Sequence, residues 1–215
     1  MELLSRDPNA FIRPSPSSGA LGGVARRTRE AMLAADAAGY DIVIIETVGV
    51  GQSETDIALA ADTVVFCVQP GSGDSLQFMK AGIVEIPDIV AVTKGDMGKA
   101  AVRARADMKG ALELGVTQGI THVGGKGVPW NVSVQIVSAN AAEGIDQLMA
   151  EISAHWLWLA DEDRLAEKRH TQAEAWLKQA IKERWGREGL KRLGQLSLAT
   201  DTSPFGKLAP RAAGD

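Results

Sequence analysis

Asp41-Ile42-Val43-Ile44-Ile45-Glu46-Thr47-Val48-Gly49-Val50-Gly51-Gln52-Ser53-Glu54 is the stretch from which the fold is read. Its β-branched apolar run suits a strand buried on both faces of a parallel sheet. The run stops at an acidic residue, and two glycines follow before Ser53-Glu54, which can cap the next segment. A carboxylate at the C-terminal end of such a strand lies where open α/β sheets bind ligands. Gly49 and Gly51 let backbone approach a ligand closely and move with it.

Outward from this stretch, apolar runs alternate with helical periods. Residues 9–14 read as a short strand ended by Pro14, and residues 15–23 as a loop rich in hydroxyls and glycine. A helix is expected over 24–38 and a short one over 55–61. Strands are expected over 63–68, 88–93 and 132–137, with helices over 75–85 and 99–114 and a loop or insertion over 117–129. From residue 145 the pattern turns helical, with Ile145, Leu148, Met149, Ile152 and Trp156 as one apolar stripe. A charged helix from about 161 to 187 carries Leu165, Ala173, Trp176, Leu177, Ala180, Ile181 and Trp185. The expected fold is therefore α/β, a mostly parallel sheet flanked by helices, with a C-terminal helical arm.

Composition narrows the function classes. A chain of 215 residues can bury a sizeable core, and its net charge of −4 gives no bulk attraction to nucleic acid or anionic lipid. The single cysteine, Cys67, lies in an apolar run, which excludes a disulfide framework within the chain and reads as a buried, inert thiol. Glu2, Arg6 and Asp7 stand where a signal peptide would need an apolar core, and no apolar run approaches the roughly 20 residues that span a bilayer. The expectation is a soluble, cytoplasmic protein with neither nucleic acid nor membrane as partner. His122, His155 and His170 lack metal-ligand spacing, and the five tryptophans sit mostly at helical spacing, as core or dimer contacts do.

Three strand ends carry polar residues on one expected edge of the sheet: Glu46-Thr47-Val48-Gly49, Thr93-Lys94-Gly95-Asp96 and Ser138-Ala139-Asn140. Together they read as a guanine-nucleotide site. Asp96 can accept from the ring N–H and exocyclic amine of guanine, a pair adenine does not offer. The Lys94 stem can lie along the base plane. The Ala139 N–H can donate to the guanine carbonyl, Glu46 can hold a magnesium-bound water, and the Gly49 N–H can sense a γ-phosphate. Each segment also has a plainer reading, Thr-Lys-Gly-Asp as a polar turn and Ser-Ala-Asn as a helix cap.

The motifs are specific enough to show a resemblance. Residues 11–23 (Phe-Ile-Arg-Pro-Ser-Pro-Ser-Ser-Gly-Ala-Leu-Gly-Gly) and 45–54 (Ile-Glu-Thr-Val-Gly-Val-Gly-Gln-Ser-Glu) carry it. So do Gly73-Asp74-Ser75-Leu76-Gln77 through Lys80, Thr93–Asp96, Ser138-Ala139 and Glu143-Gly144-Ile145. The chain resembles the methylmalonyl-CoA mutase-associated GTPases of the MeaB/ArgK type, metallochaperone-class P-loop GTPases. The resemblance implies a GTP-binding and GTP-hydrolysing chaperone of an adenosylcobalamin-dependent mutase, using GTP/GDP and Mg²⁺, that gates cofactor loading and protects its partner. It places Glu46, Gly49 and Gln52 in a switch, and Asp74, Gln77 and Lys80 in a further switch that answers the mutase. Glu46, Gly49 and Lys80 are the catalytic candidates, with Glu46 reaching the metal through water. Thr93, Lys94, Asp96, Ser138, Ala139 and Asn140 form the nucleotide-binding set. Thr93 departs from the family's usual asparagine. The implied domains are a truncated G domain over 1–158, an arm over 159–200 and a disordered tail over 201–215. For the arm, homodimerisation and a hairpin packed on its own domain both remain open.

Nowhere does the chain contain Gly-x-x-x-x-Gly-Lys-Ser/Thr, the loop that holds the phosphates. An N-terminally truncated member, lacking its P-loop strand and deficient in hydrolysis alone, is the expectation. Non-catalytic mutase-binding paralogues, and GTPases of this class serving another metalloenzyme, are the alternatives.

Overall fold

Ile89-Val90-Ala91-Val92 is a strand (β2, Ile89–Val92) whose every residue is buried, as expected of the middle of a parallel sheet. In the computed structural model, which describes residues 4–14, 28–47, 57–71, 86–117, 129–193, 198–199 and 204, β2 lies between β1 (Val65–Val68) and β3 (Ser133–Ile136). Both neighbours run parallel to it, with Val68 opposite Val92 and Val92 opposite Ile136. The expected parallel α/β sheet is present.

Side-chain alternation assigns the two faces of this sheet. Val68, Val90, Val92 and Val134 pack against Ala101, Met108, Ala111 and Leu112 of α2 (Lys99–Thr117), the crossover from β2 to β3. Arg103, Arg105 and Lys109 take the solvated side of α2, and Arg103 meets Asp107 one turn on at 4.0 Å. On the other face, Gln135 donates to Glu151 of α3 (Ile145–Ala160) at 3.2 Å. The stripe that α3 turns inward differs from the expected one. Leu148 and Ile152 are half-buried while His155 and Leu159 are fully buried, and Ile145, Met149 and Trp156 remain exposed. The spacing 148, 152, 155, 159 is as helical as the expected one, and the α3 surface is apolar over more than one face. Tertiary contact, not period, selected the side.

His155 explains that choice. Its Nδ1 shares a 2.8 Å hydrogen bond with Thr63 Oγ1, and its Nε2 lies 3.3 Å from Asp88 Oδ1. Asp88 Oδ2 accepts from the Val64 N–H at 2.8 Å and from Lys168 Nζ at 3.3 Å, and Lys168 also donates to Asp62 O. Trp130 donates to Asp88 O at 2.7 Å, packs edge-on to His155, and approaches Trp158, over which the Arg164 guanidinium lies. These contacts sit at the N-terminal ends of β1 and β2. They join the sheet to α3 and to α4 (Arg164–Leu193), which Asp161–Asp163 connects as a 3-10 turn. Arg169 grips Asp62 at 2.9 and 2.6 Å, and Gln172 donates to Ala58 O and Ala61 O. Further along α4, Leu177 and Ile181 bury against Leu198 in a second small core. The helical run bends at Gly186, close to its expected end.

Contacts divide the chain into residues 1–57 and 58–215. The first unit contains a 3-10 turn (Leu4–Arg6) and α1 (Thr28–Ala37), with Phe11 and Tyr40 rings 6.4 Å apart. Residues 9–14 and 41–46 were expected as strands and carry no strand pairing. Ile42 and Ile44 are 72% and 86% exposed. The reason is that a strand persists only where a neighbour supplies its ladder, and none does so here among the described residues. Cys67, expected to be buried, is exposed on β1, which among the described residues is an edge of the sheet. The expected helix over 75–85, loop over 117–129 and tail over 201–215 fall outside the described residues, apart from their margins.

Burial alone would raise the Asp88 pKa, but the His155 contact, Lys168 and the Val64 N–H outweigh it and hold this carboxyl below its ordinary value of 3.8. A depressed carboxylate pKa contributes stability that is complete above the unfolded value and lost as pH falls through the folded one. Asp88→Ala is therefore expected to destabilise the chain by about 3 kcal/mol in urea unfolding at neutral pH. That gap should close as the pH drops below the ordinary carboxylate range. A gap that stays constant into acid would show that the charge on Asp88 is not what holds α3 and α4 to the sheet.

Candidate functional site

The site lies at the opposite, C-terminal edge of the strands and follows from their register. Val92 pairs with Ile136, so the chain leaves β2 and β3 side by side. Three backbone bonds extend that alignment past the strands: Thr93 N–H to Val68 O at 2.8 Å, Val137 N–H to Val92 O at 2.9 Å, and Gly95 N–H to Val137 O at 2.9 Å. The Thr93 hydroxyl also reaches Val68 O at 3.3 Å, so threonine ties this loop to the end of β1. At Gly95 a Cβ would lie 2.8 Å from Ile136 Cγ2 and 3.3 Å from Val137 O, which restricts the crossing to glycine.

Lys94 has φ 53° and ψ 47°, a left-handed conformation that costs a residue with a Cβ roughly 1 kcal/mol. It turns the chain into the 3-10 turn Gly95–Met97 and leaves the Lys94 and Asp96 side chains exposed at the sheet edge. Ser138, only 1% exposed, donates its Oγ–H to Asp96 Oδ1 at 2.7 Å and accepts the Ala141 N–H at 3.1 Å. The Ser138 bond, the Asp96 backbone and Asn140 stabilise the charged carboxylate and, with Lys94 nearby, hold its pKa below the ordinary value against a smaller effect of burial. Asp96 is thus an ionised, oriented acceptor. Beside it, the Ala139 N–H has no acceptor among the described residues. An acceptor pair and a donor on one edge match the amine, ring N–H and carbonyl of guanine.

Of the residues expected to act, the structure brings together Thr93, Lys94, Asp96, Ser138, Ala139 and Asn140. Glu46 is exposed in the stretch 42–47 of the first unit, which carries no regular secondary structure. Gly49, Gln52, Asp74, Gln77 and Lys80 lie outside the described residues. Among the described residues no group of three His, Cys, Asp or Glu side chains could hold a metal ion, and no helix is long and apolar enough to cross a membrane. The polar latch of Thr63, Asp88, His155 and Lys168 was not expected from the sequence, where an acidic residue at the head of an apolar strand was its one local sign.

The profile of the methylmalonyl-CoA mutase-associated GTPase MeaB family matches residues 1–190. The chain belongs to this family. It is 41% identical over 182 residues to the mouse methylmalonic aciduria type A homolog, a mitochondrial protein, covering 84% of this chain and 42% of that one. It is 39% identical over 185 residues to the Escherichia coli GTPase ArgK, covering 85% and 54%. With the Caenorhabditis elegans methylmalonic aciduria type A homolog, also mitochondrial, it shares 36% identity over 185 residues, covering 85% and 44%. The chain spans about half the length of these curated relatives.

If Ser138 is what holds the Asp96 carboxylate in its charged form, Ser138→Ala raises the Asp96 pKa toward the ordinary carboxylate value, read by carboxyl ¹³C NMR titration. An unmoved titration midpoint would mean that another group orients Asp96.

Proposed function

We propose that these residues are the base-reading part of a MeaB-family GTPase that serves an adenosylcobalamin-dependent acyl-CoA mutase. The observation that supports this most is the Asp96 carboxylate, oriented by buried Ser138 beside the Ala139 N–H, which has no acceptor among the described residues, at the carboxyl edge of a parallel sheet. In this reading Asp96 accepts from the ring N–H and amine of guanine, Ala139 donates to its carbonyl, and the Lys94 stem covers the base. Thr93 and Asn140 hold the two loops in place.

GTP supplies the phosphoanhydride whose state the protein converts into affinity for its partner, with Mg²⁺ neutralising the phosphates. Glu46 would orient a metal-bound water and the Gly49 N–H would meet the terminal phosphate. Asp74, Gln77 and Lys80 would answer the mutase, with Gln52 in the first switch. Phosphoryl transfer depends on positioning and charge stabilisation by a phosphate loop and its lysine, and the 215 residues contain no such motif. We therefore assign base selection and partner response to these residues, with little or no turnover by them alone. The same missing motif favours a second reading, a mutase-binding module without turnover. Homodimerisation through residues 159–200 and a cytoplasmic location belong to the proposal as well.

Nucleotide preference and partner binding test this reading together. The chain should bind GDP over ADP, and Asp96→Asn should exchange guanine for xanthine preference by about tenfold or more, since the Asn amide donates where xanthine offers a carbonyl. The unaltered chain should also co-migrate with purified methylmalonyl-CoA mutase in gel filtration. An Asp96→Asn chain that still prefers GDP would remove Asp96 from base reading. Failure to co-migrate with GDP, with GTP and without nucleotide would remove the mutase.

A further inference from the structure

The loop that carries Ser138, Ala139 and Asn140 is closed on itself. Ser138 N–H donates to Glu143 O at 2.9 Å, and Glu143 N–H returns to Ser138 O at 3.1 Å, an antiparallel bridge outside the sheet. Within this ring the Ala141 N–H donates to Ser138 Oγ, the atom that orients Asp96. Ala142 is left-handed, with φ 54°, so the ring holds a residue that would otherwise relax.

Gly144 follows the bridge with φ 74°, and a Cβ there would stand 2.1 Å from Ile136 O and 3.2 Å from Val137 Cα. Those atoms are main chain at the end of β3 and cannot rotate aside. Gly144 O also accepts the Leu148 N–H at 3.1 Å in the first turn of α3. One residue without a side chain thereby sets the distance between the end of β3, the closed ring and the start of α3.

We infer that the Ser138–Glu143 ring, locked by Gly144, sets guanine selectivity, with Gly144 a positioning residue acting through Ser138 on Asp96. This rests on the base-reading role proposed above. Asp96 is exposed on a short turn, so its aim depends on the Ser138 hydroxyl, and the aim of Ser138 depends on the ring. The acceptor for the guanine amine and the Ala139 donor for its carbonyl are referenced to the same ring. A shift of the ring misplaces both together and weakens discrimination between bases, while contacts to sugar or phosphate are left as they were.

The test titrates the whole chain with guanosine, inosine and adenosine monophosphates, following backbone amides by ¹H–¹⁵N NMR. Inosine monophosphate lacks the exocyclic amine, and adenosine monophosphate lacks both the ring N–H and the carbonyl. The unaltered chain should bind the guanosine compound most tightly. Gly144→Ala should weaken that binding about tenfold, toward the adenosine level, without changing adenosine binding. A folded Gly144→Ala chain that keeps its guanine preference overturns the inference and leaves the base-reading role intact. No guanine preference in the unaltered chain overturns that role and the inference with it. Should Gly144→Ala fail to fold, amide hydrogen exchange in the unaltered chain decides. Saturating guanosine monophosphate is expected to slow exchange at Ser138 and Glu143, and unslowed exchange at both overturns the inference.

Discussion

The register between β2 and β3 is the constraint on which the rest of this structure depends. With Val92 opposite Ile136, the turn after β2 and the loop after β3 leave the sheet together, and the Ser138 hydroxyl comes within 2.7 Å of Asp96. A slip of one residue would exchange the two faces of β3. Val134 would leave the α2 core, Gln135 would enter it, and Ser138 would lose Asp96. The hydrophobic pattern that buries Ile89–Val92 thereby also aligns the polar residues at its end. The fold of the sheet and the placement of Ser138 beside Asp96 rest on one set of hydrogen bonds.

The two edges of the sheet have separate tasks. At the N-terminal edge, Asp62 and Asp88 receive Lys168, Arg169 and His155, and they fix α3 and α4 in place. At the C-terminal edge, Asp96 is exposed and its partners, Ser138 and Asn140, leave it able to accept more. Both carboxylates are held in the charged form by their donors. Asp88 has its donors within the fold and serves it, whereas Asp96 faces outward, as a group that meets a ligand must.

Much of this was legible in the sequence because the signals are local. The apolar runs over 63–68 and 88–93 and the alternating stretch over 132–137 became strands with only their terminal residues trimmed, since such β-branched patterns have few other uses. Thr93–Asp96 and Ser138–Asn140 were readable as strand-end loops for the same reason. What depends on distant residues was not legible. Thr63 and His155, 92 positions apart, select the inward face of α3, and no periodicity in residues 145–160 reports their meeting. Likewise, Ile42–Ile45 read as a strand by composition, but pairing is decided by a neighbour that composition does not name. The exposure of Cys67 goes with its place on β1, an edge strand among the described residues, and strand order is also a property of the sheet as a whole.

The most direct measurement of the central claim is a crystal structure of the chain grown with GDP. The guanine ring is expected at the carboxyl edge of β2 and β3, its ring N–H and amine within hydrogen-bond distance of the Asp96 carboxylate and its carbonyl on the Ala139 N–H. A nucleotide bound elsewhere, or a guanine turned with its carbonyl toward Asp96, would contradict it.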